Sequence, residues 1–137
     1  MPYETFKGIV FTKEKLSGIE FCNLGKELCL RLQEYSANKA TLPFLVEEIL
    51  DDIISEFTFT NEDGDKYLAF ENISVIFENA LGVNVNTFIA KASKGVCLYI
   101  LSEHKAENTA YYPFPGNLEY KIELEGKSVR QTGYVID

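Results

Sequence analysis

The chain is poor in the residues from which catalytic and metal centres are usually built. Its 137 residues include one histidine and three cysteines. A nucleophilic triad needs a base to orient, and His104, in a polar stretch, is the single histidine available. Cys22, Cys29 and Cys97 form neither a CxxC pair nor a Cys/His cluster, which argues against structural zinc. The pattern predicts buried, reduced thiols and an exposed loop histidine.

Several sequence motifs are also missing, and each absence argues against a class of function. There is no apolar run of about 18 residues, so no membrane span is expected. The first residues lack a basic segment followed by an apolar one, which predicts no signal peptide and a cytoplasmic protein. Neither GxSxG, HExxH nor GxGxxG occurs, and no GxxxxGKS/T loop is present to hold phosphates. We therefore expect no cofactor and no metal.

Basic residues are outnumbered by acidic ones, and the formal net charge is −8. The stretch 47–71 holds nine acids, with Lys66 as the only base among them. A protein that binds nucleic acid usually carries a basic patch, so direct binding of DNA or RNA is not expected. The charge is compatible with a basic partner surface or with mimicry of DNA.

The apolar residues that are present predict one α/β domain over residues 1–137. Hydrophobic residues make up 46% of the chain and aromatic residues 13%, which is enough for a core. Strands are predicted at 6–11, 18–22, 66–70, 96–101, 109–112 and 118–124, with a final edge at 133–136. The first two strands are separated by a polar stretch too short for a parallel crossover, which favours an antiparallel hairpin.

Helical periodicity and capping residues predict the intervening helices. Asn23 is placed to cap a helix that runs to about Tyr35, and Asn84 to cap one that runs to about Ser93. Thr41, followed by Pro43, begins the most strongly amphipathic helix. A further helix is predicted over 74–81. The predicted fold is a mixed sheet with parallel central strands, helices on its faces and an antiparallel C-terminal extension.

Glu71 and Asn72 are the first candidate site, because they follow the buried strand 66–70. In an open α/β sheet, ligands bind outside the carboxyl ends of the strands. An acid there can hold Mg²⁺ through water, but that ion is normally shared with substrate phosphates. Without a phosphate loop, we expect Glu71 to cap or anchor the following turn. A small enzyme that uses Glu71 with a tyrosine or lysine partner is an alternative.

Two surfaces are candidates for contact with a protein partner. One is the aromatic segment that contains Tyr112, Phe114, Glu119 and Tyr120, although these aromatic residues are equally compatible with core packing. The other is the acidic face of the helix that begins at Thr41, and it includes Asp51 and Asp52. An acidic helix face is usually solvated, so this pattern does not require a partner.

The second half of the chain carries three short motifs in a recognisable order. The segment LAFENISVIFENAL is a strand that ends in Glu71-Asn72, followed by a short helix with Ile76-Phe77. A helix and an apolar strand follow in NTFIAKASKGVCLYIL. The segment YYPFPGNLEYKI then combines Tyr112, Pro115-Gly116 and Glu119-Tyr120. Over about 18–137, this pattern resembles the small P-loop protein of BREX-type bacterial phage-exclusion systems.

The resemblance implies a degenerate P-loop-like fold and a role within a larger protein complex. Members of that family carry a Walker A loop after the first strand, whereas this chain has only residues 1–17 there and no glycine-lysine loop. Glu71 stands where the family usually has Asp, and Ser93-Lys94 stands where Ser-Arg is expected. We therefore expect a non-catalytic protein-interaction subunit without nucleotide hydrolysis. An acidic inhibitor or DNA mimic is the main alternative, and the oligomeric state is left open.

Overall fold

The computed structural model describes residues 6–35, 38 and 40–134. In chain order, the elements of this part of the chain are β1 (Gly8–Thr12), β2 (Cys22–Asn23), α1 (Leu24–Leu32), α2 (Leu42–Phe57), β3 (Phe59–Thr60), β4 (Lys66–Glu71), two short 3-10 helices (Ile73–Phe77 and Asn79–Leu81), α3 (Val85–Ala92), β5 (Cys97–Leu101), β6 (Ala110–Tyr111), β7 (Ile122–Glu123) and β8 (Val129–Thr132). None of the helices in the described ranges has the length and apolar character needed to cross a bilayer.

The main sheet has the strand order β2-β4-β5-β1-β8, and each neighbouring pair in that order is parallel. β3 pairs with β4 in the antiparallel sense, and β6 and β7 form a separate antiparallel pair. The predicted α/β class is therefore confirmed, with a mostly parallel central sheet, flanking helices and a small antiparallel unit towards the C-terminus. Alternating strand and helix patterns favour this architecture.

The hairpin predicted for the first two strands is wrong. β1 lies between β5 and β8, whereas β2 pairs, among the described strands, only with β4. β2 has just two residues, and they pair with Phe70 and Glu71 at the carboxyl end of β4. The chain therefore leaves β1 and enters β2 at the same edge of the sheet. A short connection, 13–21, suffices because β2 begins beside Phe70, near the carboxyl end of β4, so no helical crossover is needed.

The core lies mainly on one face of the sheet. Alternate residues of β1, β4 and β5 point into a cluster that includes the fully buried Phe11, Phe70 and Ile100. The buried side chains of all three α-helices belong to the same cluster. The other face carries a smaller cluster around Tyr67 and Ala69, and partly buried residues from loops, from β3 and from β5 pack against it. The helices and the larger core therefore share one face.

The predicted N-cap hydrogen bonds are present in two of the three α-helices, α1 and α3. The side chain of Asn23 accepts a hydrogen bond from the Lys26 amide, and Asn84 accepts one from Thr87. Thr41 occupies the N-cap position of α2 but makes no capping hydrogen bond, because its hydroxyl contacts Asn38 instead. The expected local chemistry therefore sets where these helices begin.

Two elements in the second half differ from the prediction. The helix expected over 74–81 is two 3-10 turns, separated where Glu78 adopts an extended backbone. The β-branched residues of the first turn favour this outcome, since they crowd an α-helix. The strand expected over 118–124 is reduced to β7, because a turn at 118–119, next to which the Glu119 amide donates to the Asn117 side chain, takes its first part. The last strand ends at Thr132, and 135–137 lie outside the described residues.

The prediction that all three cysteines are buried is wrong for one of them. Cys22 and Cys97 are buried, but Cys29 is exposed on α1. Burial, with a smaller contribution from Glu27, raises the pKa of Cys22 to about 12. Burial also raises the pKa of Cys97. These two thiols are therefore protonated at neutral pH and poorly nucleophilic.

Candidate functional site

The carboxyl edge of the parallel sheet gathers polar residues from several strands. β1, β2, β4, β5 and β8 all run in the same direction, so their carboxyl ends meet at this edge. Asn23 ends β2, Glu71 ends β4, and Ser102 follows β5. The connection 13–21, which contains Lys15, joins two strand ends at the same edge. This is the position at which α/β proteins bind ligands.

Glu71 is held by an ion pair with Lys15. Its Oε2 atom lies 2.6 Å from the Lys15 Nζ atom, and the two side chains are 18% and 59% exposed. Within the described residues, this oxygen is buried and receives no hydrogen bond of regular geometry, so the contact is electrostatic rather than directional. Glu71 therefore holds the connection between β1 and β2, whereas the prediction gave it the turn that follows.

Asn72 ties β4 to the start of α1. Its backbone is in the left-handed region, with φ 55° and ψ 42°, which asparagine tolerates better than most residues. Its Nδ2 atom donates to the Oδ1 atom of Asn23 at 2.9 Å, and the same Oδ1 atom accepts from the Lys26 amide at 3.0 Å. Asn23 and Asn72 also line a cleft of about 420 Å³ that Phe114 borders. Glu71 thus anchors the connection between β1 and β2, and Asn72 anchors the start of α1.

We expect the Lys15–Glu71 contact to have a measurable coupling energy. In a double-mutant cycle of Lys15→Met and Glu71→Gln, the coupling should be about 0.5–1 kcal/mol, because one partner is largely shielded from water. Lys121 and Glu123 provide a control, since they are 3.4 Å apart and both about half exposed. Their coupling should be about 0–0.5 kcal/mol in the same urea unfolding experiment. Equal coupling for the two pairs would contradict the role given to Glu71.

Two of the aromatic candidates, Phe114 and Tyr120, pack together in the exposed turn between β6 and β7. The rings of Phe77, Phe114 and Tyr120 contact one another edge to face, with centroids 5.7–6.3 Å apart. The Tyr120 hydroxyl accepts from the Asn79 side chain at 3.3 Å. Phe114 is 41% exposed and Leu118 67% exposed. Of the other candidates, Glu119 is exposed and Tyr112 is half-buried. The rings of Phe77 and Tyr120 thus support the turn on its inner side, while the side chains of Phe114 and Leu118 face solvent.

The acidic face of α2 is partly neutralised by neighbouring helices. Lys91 of α3 lies 3.4 Å from both Glu47 and Asp51, and Arg31 of α1 pairs with Glu56. The hydrogen bond that Lys91 donates to the Asp51 carboxylate is the main cause that raises the pKa of Lys91. Asp52 is exposed and makes no ion pair with another described residue. Asp51 and Asp52 therefore differ, since Asp51 belongs to a network between helices and Asp52 faces solvent.

Sequence reasoning missed the pocket between α2 and α3. Its volume is about 320 Å³, and Leu50, Phe88 and Lys91 are among its lining residues. Phe44 lies at this pocket and is 73% exposed. The signal was present in the sequence, because Phe44 is an aromatic residue that falls outside the apolar stripe of α2. A contiguous exposed apolar patch marks a contact surface, and here the ring of Phe44 adjoins the apolar lining of the pocket.

His104 takes no part in a catalytic arrangement with the neighbouring hydroxyls. It is exposed, as predicted, and only its backbone contacts Ser102. The Ser102 hydroxyl is 2.6 Å from the Tyr111 hydroxyl, and the Tyr134 hydroxyl donates to the Ser102 carbonyl at 2.8 Å. These bonds fix the segment that follows β5 to β6 and to the end of β8.

Comparison with protein-family models, with curated proteins and with solved structures finds no match for this chain. Its function must therefore be inferred from its own residues and their geometry.

Proposed function

We propose that this chain is a non-catalytic protein-interaction subunit, related to the small P-loop proteins of phage-exclusion systems and lacking nucleotide hydrolysis. It acts by docking on a larger protein of such a system. The observation that carries the proposal is the turn between β6 and β7. There, Phe114 and Leu118 face solvent on a base of packed aromatic rings. Exposed aromatic and aliphatic side chains on a rigid support are typical of interface hot spots.

The geometry of the carboxyl edge supports the non-catalytic part of the proposal. In a P-loop protein, the segment after the first strand wraps the phosphates with backbone amides, and a lysine reaches them. Here the segment after β1 has no glycine before Gly18, and its Lys15 is engaged by Glu71. A bound phosphate would have to compete with that carboxylate for the ammonium, and the negative charge of Glu71 would repel it.

A nucleotide titration tests this part directly. Isothermal titration of the wild type and of Glu71→Ala with ATP or GTP and Mg²⁺ should show no heat of binding, and neither nucleotide should be hydrolysed. Hydrolysis that Glu71→Gln abolishes would refute the proposal and favour a small enzyme that uses Glu71. Binding without hydrolysis that depends on Glu71 would also count against it, because a phosphate site would then survive.

The docking surface is tested by comparing captured partners. The double variant Phe114→Ser, Leu118→Ser should lose the partner that the tagged wild-type chain captures from cells carrying a phage-exclusion system. Leu30→Ser is the matched control, since Leu30 is 47% exposed and belongs to α1 rather than to the turn. If the control loses the partner as completely as the double variant, the turn is not the docking surface.

An acidic inhibitor or DNA mimic is a second candidate, and the observation in its favour is the exposed acidic side of α2. Glu48 and Asp52 lie one turn apart there, and neither forms an ion pair with another described residue. This function predicts that the captured partner binds DNA and that added duplex DNA displaces the chain from it. Capture should also weaken steeply as salt is raised. Capture that is insensitive to both would exclude this candidate.

A further inference from the structure

The pocket between α2 and α3 has an apolar floor and an open mouth. Leu50 and Phe88 at its base are each less than 5% exposed. Pro43 and Val83 add apolar wall, so a side chain of moderate size finds contacts on several sides. Phe44 at the mouth is the most exposed of the large apolar side chains in the described ranges. Leaving this ring in water costs free energy that an occupant would recover.

The polar rim of the pocket has an excess of negative charge. Glu47 and Asp51 share the single ammonium of Lys91, each at 3.4 Å, and the three side chains are 43–63% exposed. Two carboxylates against one ammonium leave a net charge of about −1 at the rim. Glu48 and Asp52 follow on the exposed side of the same helix. The nearby field therefore attracts a cation and repels an acidic partner.

We propose that this pocket binds a segment of a partner protein in which a basic residue stands next to an apolar residue. The inference rests on the proposed interaction function and adds a second contact to it. The apolar side chain lies on Leu50 and Phe88, beside the ring of Phe44. The basic group takes the place of Lys91 between Glu47 and Asp51. Arginine suits this position best, because its planar guanidinium can donate to both carboxylates at once.

The charges at the rim distinguish this occupant from others. A purely apolar segment would leave the ion network of Lys91 in place and gain nothing from the acidic helix. A purely basic segment would be attracted equally by the turn at 61–65, which also carries acids, and would not select the pocket. Only a segment with both features uses the floor and the rim together, so affinity should require both.

The test uses defined peptides and amide chemical shifts of the isotope-labelled protein. The probe is acetyl-Gly-Arg-Leu-Arg-Leu-Gly-amide, and the controls replace either both arginines by glutamine or both leucines by serine. The probe should shift the amides of Val83, Thr87 and Lys91 in a saturable manner, and the controls should not. Absence of shifts up to millimolar probe, or equal shifts with the serine control, would overturn the proposal.

Substitutions of the charged residues at the rim should change the affinity for the probe in opposite directions. Asp51→Asn and Glu47→Gln should each weaken probe binding roughly fivefold, the value of one exposed ion pair. Lys91→Gln should strengthen binding by a similar factor, because it removes the competing cation, whereas loss of a merely structural lysine would weaken it. Asp63→Asn makes the same charge change in the exposed turn 61–65 and should leave the affinity unchanged. Weaker binding in Lys91→Gln, or in Asp63→Asn, would overturn the assignment.

These results separate the pocket from the proposed function. Failure of the probe to bind, with capture of the partner still dependent on Phe114 and Leu118, would refute the pocket alone. Saturable probe binding in a chain that also hydrolyses ATP would leave the pocket in place and refute the non-catalytic function.

Discussion

Replacement of Phe70 by alanine should lower the free energy of unfolding by about 3–5 kcal/mol, as expected for a large aromatic side chain removed from a core. Phe70 is fully buried in β4, a strand with neighbours on both sides. Its ring stacks on that of Phe88 in α3, with the centroids 5.7 Å apart. Truncation would leave a cavity between the sheet and α3, which the rigid strand cannot fill by moving. Urea unfolding followed by circular dichroism measures the loss.

Phe44→Ala is the matched control for that experiment, because it removes the same ring from an exposed position. Phe44 is 73% exposed, so its loss should change the free energy of unfolding by less than about 0.5 kcal/mol. If the unfolding free energies of the two variants depend on urea concentration with similar slopes, both variants unfold to the same state. Equal losses of stability would contradict the placement of both residues. A neutral result for Phe44→Ala would also show that this ring is free to serve binding without a cost in folding.

Replacement of Gly8 by alanine should cost about 3 kcal/mol or more, because a backbone atom occupies the space of the new side chain. Gly8 has a φ of +156°, and an added Cβ atom would clash with the Ser128 carbonyl oxygen. That oxygen accepts a hydrogen bond from the Ile9 amide at 3.0 Å. Relief of the clash would therefore separate β1 from β8. A lower midpoint of thermal unfolding and faster hydrogen exchange in β8 would report this.

Gly64→Ala separates the clash from backbone strain. Gly64 has a φ of +84°, but an added Cβ atom would have no heavy atom within 4 Å. Only the cost of a left-handed backbone applies there, and it should be about 1 kcal/mol. If Gly64→Ala and Gly8→Ala cost the same, the close approach of Ser128 to Gly8 would be refuted.

Local features of the fold could be predicted from short stretches of sequence. The caps at Asn23 and Asn84 depend on contacts between residues three apart, and both are present. The alternation of strand and helix patterns predicted the α/β class correctly. The continuous apolar run before Leu101 predicted an interior strand, and β5 pairs on both sides. Such patterns succeed because capping contacts and the periodicity of apolar residues are set within one or two turns of chain.

The candidate site could be predicted only in part. Glu71 and Asn72 follow the predicted strand, but their partners Lys15 and Asn23 could not be identified from the sequence. The aromatic turn was foreseen as a set of residues, whereas its bracing by Phe77 depends on how the 3-10 segment packs. The pocket at Phe44 depends on the distance between α2 and α3. The periodicity of apolar residues within one helix does not determine that distance.

The pairing of strands separates what local sequence patterns determine from what contacts between distant segments determine. A local rule on crossover length predicted a hairpin for β1 and β2, yet the two strands lie three positions apart in the sheet order. The rule failed because β2 pairs with the last two residues of β4, an arrangement that depends on the whole sheet edge. Helices, caps and the fold class follow from interactions between near neighbours. Strand order, the ion pair of Glu71 and the pocket depend on which distant segments bury their apolar surface together, a free energy that belongs to the entire chain.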